Sequence, residues 1–356
     1  MKQIGITTTI PIEVLLAAGY RPVDLNNVFI SDPDPERLVN IAERDGFPQN
    51  CCTWIKGIYG VVVDCGIDTI LCVTTGDCSN TIMLMEVLKL KGLKVIPFAY
   101  PERPNVSRMR YCLEALADSL GTTLAAAERV REELAPCRRL ASELDGLTWQ
   151  DGVVSGEENH LWLVRSSDFA QDHQQYERML SHFLAQCQKR VPYSEGMIRL
   201  AYVGVPPIFG QDFYRYLEYN GARVVFNEVQ RQFAMLQRAE SLAEQYTYYT
   251  YPYSIFGRLD DIIPELSRRR VDGVIHYVQA FCHRGIGDII FRHAIKLPII
   301  AVEGNAGYTL TQHLQTRIEA FLDMLRRNQR GSEGKSSPLE YSAKVDDKVM
   351  KGNLYG

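Results

Sequence analysis

The chain has 356 residues, of which 39 are Lys or Arg, 43 are Asp or Glu, and 46% are hydrophobic. This length and composition are typical of a folded protein with two ordinary domains, and they exclude extensive disorder. The formal net charge of −4 provides no general attraction to nucleic acid, so we expect no nucleic-acid partner.

The first half of the chain predicts strands that alternate with helices. Short apolar runs near 4–8, 69–74 and 93–98 are typical of buried parallel strands. An amphipathic stretch rich in Ala, Glu, Arg and Leu predicts helix from about 105 to 144, and a second helical stretch covers 171–190. The alternation predicts an N-terminal α/β domain over 1–145 and a helical connection over 146–195.

The second half repeats this alternation. Strands are predicted near 198–205, 224–226, 273–277 and 298–302, and a final helix over 310–327 has one apolar face at a 3.6-residue period. We therefore predict a C-terminal α/β domain over 196–327 and a flexible Gly-, Ser- and Lys-rich tail over 328–356. Both domains are predicted to contain Rossmann- or flavodoxin-like parallel sheets.

The sequence has no segment suited to membrane insertion or secretion. No apolar run reaches the roughly 18 residues that span a bilayer, and Pro11 and Glu13 lie where a secretory signal needs an apolar core. We expect a cytoplasmic protein without a membrane partner. In a reducing cytosol its nine cysteines are metal ligands, nucleophiles or buried residues rather than a disulfide framework.

A repeated sequence pattern relates the two halves of the chain. Asp68 precedes Cys78 by the same spacing as Asp272 precedes Cys282, and an apolar strand follows both cysteines at equal distance. A second similarity relates the segments around Gly19 and Gly221. The pattern predicts a duplicated α/β unit with one cysteine at the carboxyl end of a strand in each half, where such sheets bind ligands.

A third candidate position is the Cys51-Cys52 pair, which is predicted to lie in the first turn of a helix. Helix N-termini favour thiolates because the helix dipole and free N–H groups lower the thiol pKa. Three thiolates that meet in a cleft could hold zinc or an iron–sulfur cube with one open coordination position. The alternative, that these cysteines are simply buried small side chains, is the usual role of cysteine and stays open on spacing alone.

Longer motifs resemble the 2-hydroxyacyl-CoA dehydratase family, of the 2-hydroxyglutaryl-CoA dehydratase D-component type, which also contains subunits of ATP-dependent benzoyl-CoA reductase. The resemblance runs in order from about residue 4 to 327. Its motifs are Ile10-Pro-Ile-Glu13, Cys52-x3-Lys56-x3-Gly60, Cys78, Arg199-Leu-Ala-Tyr-Val-Gly204-Val-Pro, Val271-Asp-Gly-Val-Ile-His-Tyr-Val-Gln-Ala-Phe-Cys282, Lys296-Leu-Pro-Ile-Ile-Ala-Val-Glu303 and Gln315-Thr-Arg-Ile-Glu-Ala-Phe-Leu-Asp-Met-Leu325.

The resemblance implies a [4Fe-4S] cluster in the cleft between the two domains, with Cys52, Cys78 and Cys282 as ligands and Cys51 as the rival to Cys52. It further implies a lyase or reductase component of anaerobic metabolism that receives one low-potential electron from an ATP-hydrolysing iron–sulfur activator. That electron would form a ketyl-type radical of an acyl-CoA thioester. A related dehydratase subunit or a second copy of the chain would complete the enzyme as a dimer.

Other interpretations stay open. A related branch of the family carries a double-cubane [8Fe-9S] cluster, for which Cys51 is a possible additional ligand. The chain could instead be an electron-relay subunit without an acyl-CoA site, or a metal-free binding module with two α/β lobes. Iron content separates the last of these from the others.

Three further features adjoin these cysteines or carry positive charge. His283 follows Cys282 directly, so it is a candidate proton carrier, although a polar neighbour at a helix start explains it equally well. The glycine-containing run from Arg284 to Asp288 could present backbone N–H groups to an anion. Arg268-Arg-Arg270 is typical of a solvated helix end, although a CoA diphosphate would suit it.

Overall fold

The computed structural model describes residues 2–209, 211–304 and 308–333 of the chain. These residues form two four-stranded sheets in which the neighbouring strands are parallel. Helices cover both faces of each sheet, as parallel sheets require because their strands are apolar on both sides. The predicted α/β class with two parallel sheets is confirmed.

The two sheets have the same strand order. The first sheet contains β1 (Lys2–Ile6), β2 (Tyr20–Asp24), β3 (Thr69–Thr75) and β4 (Lys94–Ala99) in the order β2-β1-β3-β4. The second contains β5 (Ile198–Val203), β6 (Ala222–Asn227), β7 (Gly273–Gln279) and β8 (Ile299–Gly304) in the order β6-β5-β7-β8. This match is what a duplicated α/β unit predicts. In both sheets the strand order reverses between the two central strands, which is the position where α/β sheets form ligand crevices.

The helices follow the strands in chain order. The first half contains α1 (Ile12–Ala17), α2 (Leu25–Ser31), α3 (Pro35–Arg44), α4 (Thr53–Asp64), α5 (Asn80–Leu90), α6 (Val106–Ser119) and α7 (Leu124–Trp149). The connection contains α8 (Gly156–Arg165), the short turn Phe169–Gln171 and α9 (His173–Cys187). The second half contains α10 (Gln211–Tyr219), α11 (Glu228–Ala234), α12 (Leu242–Thr247), α13 (Ile255–Arg268), the 3-10 helix His283–Gly287, α14 (Asp288–Ala294) and α15 (Gln312–Glu333). None of these described helices is both long and apolar enough to cross a membrane.

Several elements differ from the sequence prediction. Strand β2 was not predicted because it is a short edge strand that contains Pro22, which lacks an N–H group for a ladder. The predicted helix over 105–144 is two helices, because the side chain of Thr123 accepts a hydrogen bond from the N–H group of Ala126 and caps a new helix.

Two helices run through predicted domain limits. Helix α7 continues past 145 to Trp149, and α15 continues past 327 to Glu333, so the first six residues of the predicted flexible tail are helical. Hydrophobic periodicity does not detect a helix that continues through polar residues, so the C-terminal ends of both helices were predicted too early in the chain. The rest of the predicted tail, 334–356, lies outside the described residues, and the domain division stays a prediction.

The largest core is shared by the two halves of the chain. One face of the first sheet packs against α1, α6, α7 and α9. The segment from α11 to Tyr251, which comes from the second half, packs into the same core through Val229, Met235, Tyr246 and Tyr249. The two halves therefore bury apolar surface against each other, which stabilises their association.

Candidate functional site

A cavity of about 100 Å³ is lined by segments that follow the central strands of both sheets. The loops after β1 and β3 contribute Thr8 and Cys78, those after β5 and β7 contribute Val205 and Cys282, and the N-terminus of α4 contributes Cys52. The carboxyl ends of parallel strands are the usual ligand-binding edge of such sheets. The cavity therefore combines both halves of the chain at the edge where a ligand is expected.

Three of the nine cysteines line this cavity, namely Cys52, Cys78 and Cys282. Cys51 is adjacent to Cys52 but does not line it. The fold thus brings together the three cysteines that the resemblance implied, and their role as ligands stays a prediction. The remaining cysteines are also absent from the cavity wall: Cys65, Cys72, Cys112, Cys137 and Cys187.

The three cysteines do not form a site for a single ion. Within the part of the chain that the structure describes, no group of three or more His, Cys, Asp or Glu residues could hold one metal ion. In an iron–sulfur cube each cysteine binds a different iron, so cluster ligands lie farther apart than the ligands of one ion. A set of three thiols around one cavity is compatible with such a cluster.

Burial determines the protonation of these thiols. It raises the pKa of Cys52 to about 11 and that of Cys78 to about 12, and the neighbouring Asp77 raises the pKa of Cys78 further. The N–H groups of Trp54 and Ile55 at the start of α4 lower the pKa of Cys52, as expected at a helix N-terminus, but burial outweighs them. Burial therefore favours the protonated thiols, and metal binding would displace their protons.

Buried hydrogen-bond donors on the cavity wall lack partners. Among the described residues, nothing accepts a hydrogen bond from Trp54 Nε1 or Gln279 Nε2, and Thr81 Oγ1 is also unpartnered. These side chains are 9%, 2% and 1% exposed, respectively. Leaving a buried donor unsatisfied costs about 1–3 kcal/mol. The donors therefore fit a ligand that presents acceptor atoms, such as cluster sulfides or substrate oxygens.

Arg284 connects the loops that carry two of the cysteines. Its guanidinium donates hydrogen bonds to the carbonyl oxygens of Gly76 and Asp77, at 3.2 and 2.9 Å, and lies 4.1 Å from the centre of the Tyr251 ring. The backbone behind it is a 3-10 helix in which the N–H group of Gly285 bonds the carbonyl of Cys282. In this segment the arginine side chain, rather than a run of free N–H groups, joins the two halves beside the cavity.

Two buried carboxyl groups meet at the end of β2, and one of them lines the cavity. Asp24, at the end of β2, lines it, and its N–H group bonds Asp168 Oδ2 at 2.9 Å. Burial and then the charge of Asp24 raise the pKa of Asp168 to about 7, and burial also raises the pKa of Asp24. The next three residues, Phe169–Gln171, all have positive φ, a conformation that costs non-glycine residues energy.

The histidines and tyrosines near Cys282 in sequence have different surroundings. His283 lines the cavity but is exposed, so it lies at the cavity opening, and partial burial and then the charge of Arg284 lower its pKa. His276 is a buried histidine whose Nδ1 lies 2.8 Å from Asp288 Oδ1. The tyrosine-rich segment 246–253 lies mostly in the core, and Tyr251 is the one tyrosine of this segment that lines the cavity.

Comparison with known families agrees with this arrangement. The sequence model of the family described as 2-hydroxyglutaryl-CoA dehydratase, D-component, matches residues 7–325. The chain belongs to this family. The match includes every residue that lines the cavity and all strands except β1, which precedes residue 7, and it supports a subunit of the 2-hydroxyacyl-CoA dehydratase type. A search of curated proteins finds no match.

Some residues at the cavity of this family member were not identified from sequence. Asp168 lies in the connection between the halves, and no local pattern relates it to Asp24 because 144 residues separate them. Gln279 and Trp54 belong to the motifs around Cys282 and Cys52, but their unpaired donors become evident only when the neighbouring elements are in place. A polar residue in an apolar strand, such as Gln279 at the end of β7, is the one available signal.

Proposed function

We propose that the chain is the [4Fe-4S] subunit of a 2-hydroxyacyl-CoA dehydratase-like or benzoyl-CoA reductase-like enzyme, with Cys52, Cys78 and Cys282 as cluster ligands. The observation that carries this proposal is that these cysteines, from three separate elements, line one cavity. Family membership supports the dehydratase-type subunit. Three thiolates leave one iron of a cube open to a substrate atom or a small ligand.

In this proposal the protein provides the environment for one-electron chemistry. A bound cluster supplies one low-potential electron to an acyl-CoA thioester, which permits an unactivated hydroxyl group to leave. Trp54 and Gln279 are buried donors for sulfides or for a substrate oxygen. Arg284 holds the cysteine loops together, and the small, mostly buried cavity limits the access of water. His283, at the opening, is the candidate for moving a proton.

The proposal includes partner proteins. The electron comes from an ATP-hydrolysing iron–sulfur activator, and a related dehydratase subunit or a second copy of the chain completes the enzyme in the cytoplasm. Three exposed apolar side chains adjoin Cys282 in sequence, Phe281, Ile286 and Ile289, at 59%, 74% and 72% exposure. Exposed apolar side chains within seven residues of a cavity cysteine favour a protein interface on this segment.

Iron and acid-labile sulfide per chain, measured after purification without oxygen, test the cluster. We expect about four irons and four sulfides per chain for one cube, and a loss of most of this iron in Cys52→Ser, Cys78→Ser and Cys282→Ser. Cys51→Ser is the matched control for Cys52→Ser, and Cys65→Ser is an exposed control; both should retain the iron. About eight irons would indicate the double-cubane interpretation instead. Iron-free protein would contradict the proposal.

Activity separates an enzyme subunit from an electron relay. The chain, its dehydratase partner and the activator, with ATP and a low-potential reductant, are expected to dehydrate a 2-hydroxyacyl-CoA to the enoyl-CoA. Cys78→Ser should abolish the reaction without changing the assembly of the complex. Full activity of a complex that contains the iron-free variant would show that this chain does not carry the catalytic cluster.

A further inference from the structure

A second depression lies at the amino ends of the strands of the second sheet, opposite the end at which the cysteine cavity lies. It has a volume of about 720 Å³ and borders the first residues of β5 and β6, whereas the cysteine cavity lies beyond the carboxyl ends of the strands. The loop after α7, the segment before β5 and the end of α13 form its walls. The residues that line it are Trp149, Gln150, Asp151, Gly152, Pro192, Tyr193, Ser194, Glu195, Met197, Arg199, Arg223, Arg268 and Arg270. We call it the arginine groove.

Positive charge predominates in the arginine groove. Four arginines line it, against the two carboxylates Asp151 and Glu195. The carboxylates are exposed and have no ion pair with these arginines among the described residues. The lining residues therefore carry more positive than negative charge on a chain whose overall charge is −4, while the guanidinium of Arg268 is paired with Glu265 outside the lining.

The buried side chain of Arg223 contacts no carboxylate of the described residues. It is 6% exposed, and its guanidinium donates a hydrogen bond to the carbonyl oxygen of Thr148 at 2.9 Å. Glu218, whose charge acts on Arg223 at a distance, accepts a hydrogen bond from Tyr193 instead. The other arginines that are buried to this degree each contact a carboxylate: Arg138 with Glu13, Arg231 with Asp261, Arg258 with Glu228, and Arg269 with Asp145.

Arg199 is held in the same way. Its side chain donates to the carbonyl oxygens of Arg269 and Trp149, at 2.9 and 2.7 Å. The carboxylate of Asp272 bonds the backbone N–H group of Arg199 rather than its guanidinium. Burial, followed by the charge of Arg199, lowers the pKa of Arg223 to about 10. Carbonyl oxygens thus fix two neighbouring guanidinium groups, and no described carboxylate contacts either one, although the charges of Asp272 and Glu218 act on them from a distance. An anion in direct contact would offset the remaining cost of burying these charges.

The backbone conformation near these arginines leaves their side chains accessible to a ligand in the groove. Gly152 has a φ of +64°, and a Cβ atom there would lie 3.1 Å from a terminal nitrogen of Arg223, so glycine leaves that guanidinium open to the groove. Arg270 has a φ of +50° although it is not glycine, and this conformation directs the chain sharply at the end of α13. No hydrogen bond of the Arg270 side chain is found among the described residues.

We propose that the arginine groove binds an oligophosphate anion, such as the diphosphate or triphosphate group of a nucleotide. Guanidinium groups match phosphate oxygens in paired hydrogen bonds, and several phosphates are needed to engage several arginines. The groove volume is that of a small-molecule site. Tyr193 and Trp149 supply aromatic surface beside the arginines for an attached base. This site is separate from the cysteine cavity and does not depend on a cluster.

Calorimetric titration of the full chain with ATP, ADP, CoA, pyrophosphate and inorganic phosphate, at matched ionic strength and with EDTA, tests the proposal. We expect binding of the compounds with two or more linked phosphates, weaker or no binding of inorganic phosphate, and an affinity that falls with added salt. The comparison of pyrophosphate with the nucleotides separates recognition of the phosphates from recognition of the base. Absence of binding by every compound at millimolar concentration would overturn the proposal.

Variants locate the site. Arg270→Ala and Arg223→Met are expected to weaken binding by about tenfold or more each, whereas Arg110→Ala, an exposed arginine on α6 away from the groove, should bind as the wild type does. Arg223→Met should also preserve the thermal midpoint or raise it, because it removes a buried charge that no described carboxylate contacts. Cys78→Ser should bind as the wild type does, whatever the outcome of the iron assay.

Three results would contradict this assignment. Binding that is unchanged in both groove variants would place the ligand elsewhere, for example in the cysteine cavity for CoA. A large loss of stability in Arg223→Met, together with no binding to the wild type, would make Arg223 a structural residue only. Retention of an acidic peptide by the groove with no affinity for phosphates would mean that the groove is a protein-binding surface, and it would also overturn the proposal.

Discussion

Asp24 and Asp168 are buried carboxyl groups held side by side by the fold. Ser167 Oγ donates to Asp24 Oδ2 at 2.6 Å, while the N–H group of Asp24 bonds the other carboxylate. Because burial raises the pKa of both groups, the folded protein binds protons here that the unfolded chain releases near pH 4. Protonation of the pair therefore stabilises the folded state, fully below the unfolded pKa and less as pH rises through about 7.

This pair predicts a pH dependence of stability. The contribution of Asp168 should fall by roughly 3 kcal/mol between pH 4 and pH 8, so unfolding in guanidinium chloride should show the wild type losing stability toward pH 8. Asp168→Asn should flatten this dependence, because the amide does not titrate. Asp118→Asn, an exposed aspartate on α6, should keep the wild-type slope. Equal slopes in all three proteins would contradict the raised pKa.

At the scale of elements, helix α4 explains the Cys52-x3-Lys56-x3-Gly60 motif. Buried Lys56 donates to Glu43 Oε1 at 2.7 Å and to the carbonyl of Gln49 at 3.2 Å, which fixes the first turns of α4 against α3. One turn later, Gly60 packs directly on the backbone of Leu38 in α3. The motif therefore holds the helix that presents Cys52 to the cavity.

Opposite effects are predicted for two glycine substitutions. In Gly60→Ala the new Cβ atom would lie 2.1 Å from the carbonyl oxygen of Leu38, so we expect a loss of about 2 kcal/mol of unfolding free energy despite the better helix propensity of alanine. In Gly146→Ala, within α7, the nearest atom is the Gln150 Oε1 at 3.7 Å, and a gain of about 0.5–1 kcal/mol is expected. Unfolding of both variants in denaturant measures these changes in unfolding free energy. A gain in both would mean that α3 and α4 are not in close contact.

At the scale of the whole molecule, Glu13 joins distant parts of the chain. Fully buried in α1, it accepts hydrogen bonds from Arg138 in α7 at 2.5 Å and from Gln245 and Tyr246 in α12 at 2.9 and 2.7 Å. Arg138 also bonds the carbonyl of Ala234. This network lies at the core that both halves share, so we expect the halves to unfold together.

Removal of Glu13 should therefore destabilise the whole molecule. Glu13→Ala leaves Arg138 buried without a counter-charge, and we expect a loss of about 3–5 kcal/mol in a single unfolding transition. Glu114→Ala, which removes an exposed ion pair with Arg110, should change the unfolding free energy by less than about 1 kcal/mol. Far-ultraviolet circular dichroism and tyrosine fluorescence should report the same midpoint. Separate midpoints for the two signals would show that the halves unfold independently.

Local sequence patterns predicted the parts of the structure that depend on local chemistry. Buried parallel strands are continuous apolar runs, so β1, β3 and β4 and their counterparts in the second half were identified within a few residues. The cysteines after β3 and β7 were identifiable because the same spacing recurs in both halves. Edge strand β2 was missed because Pro22 and the polar residues beside it interrupt the apolar run that is typical of a strand. Helices α2 and α3 were missed because their segment has no long apolar period that would predict a helix.

The fold class, the parallel sheets and the three cysteines at element ends were therefore predictable from local pattern, because period and spacing are properties of neighbouring residues. The other contacts became evident only in the folded chain: Asp24 with Asp168, Glu13 with Arg138, and the four arginines of the arginine groove. Parallel strands need long crossover connections, so residues more than 100 positions apart become neighbours. Whether a buried polar group is paired depends on these contacts, which no local pattern records.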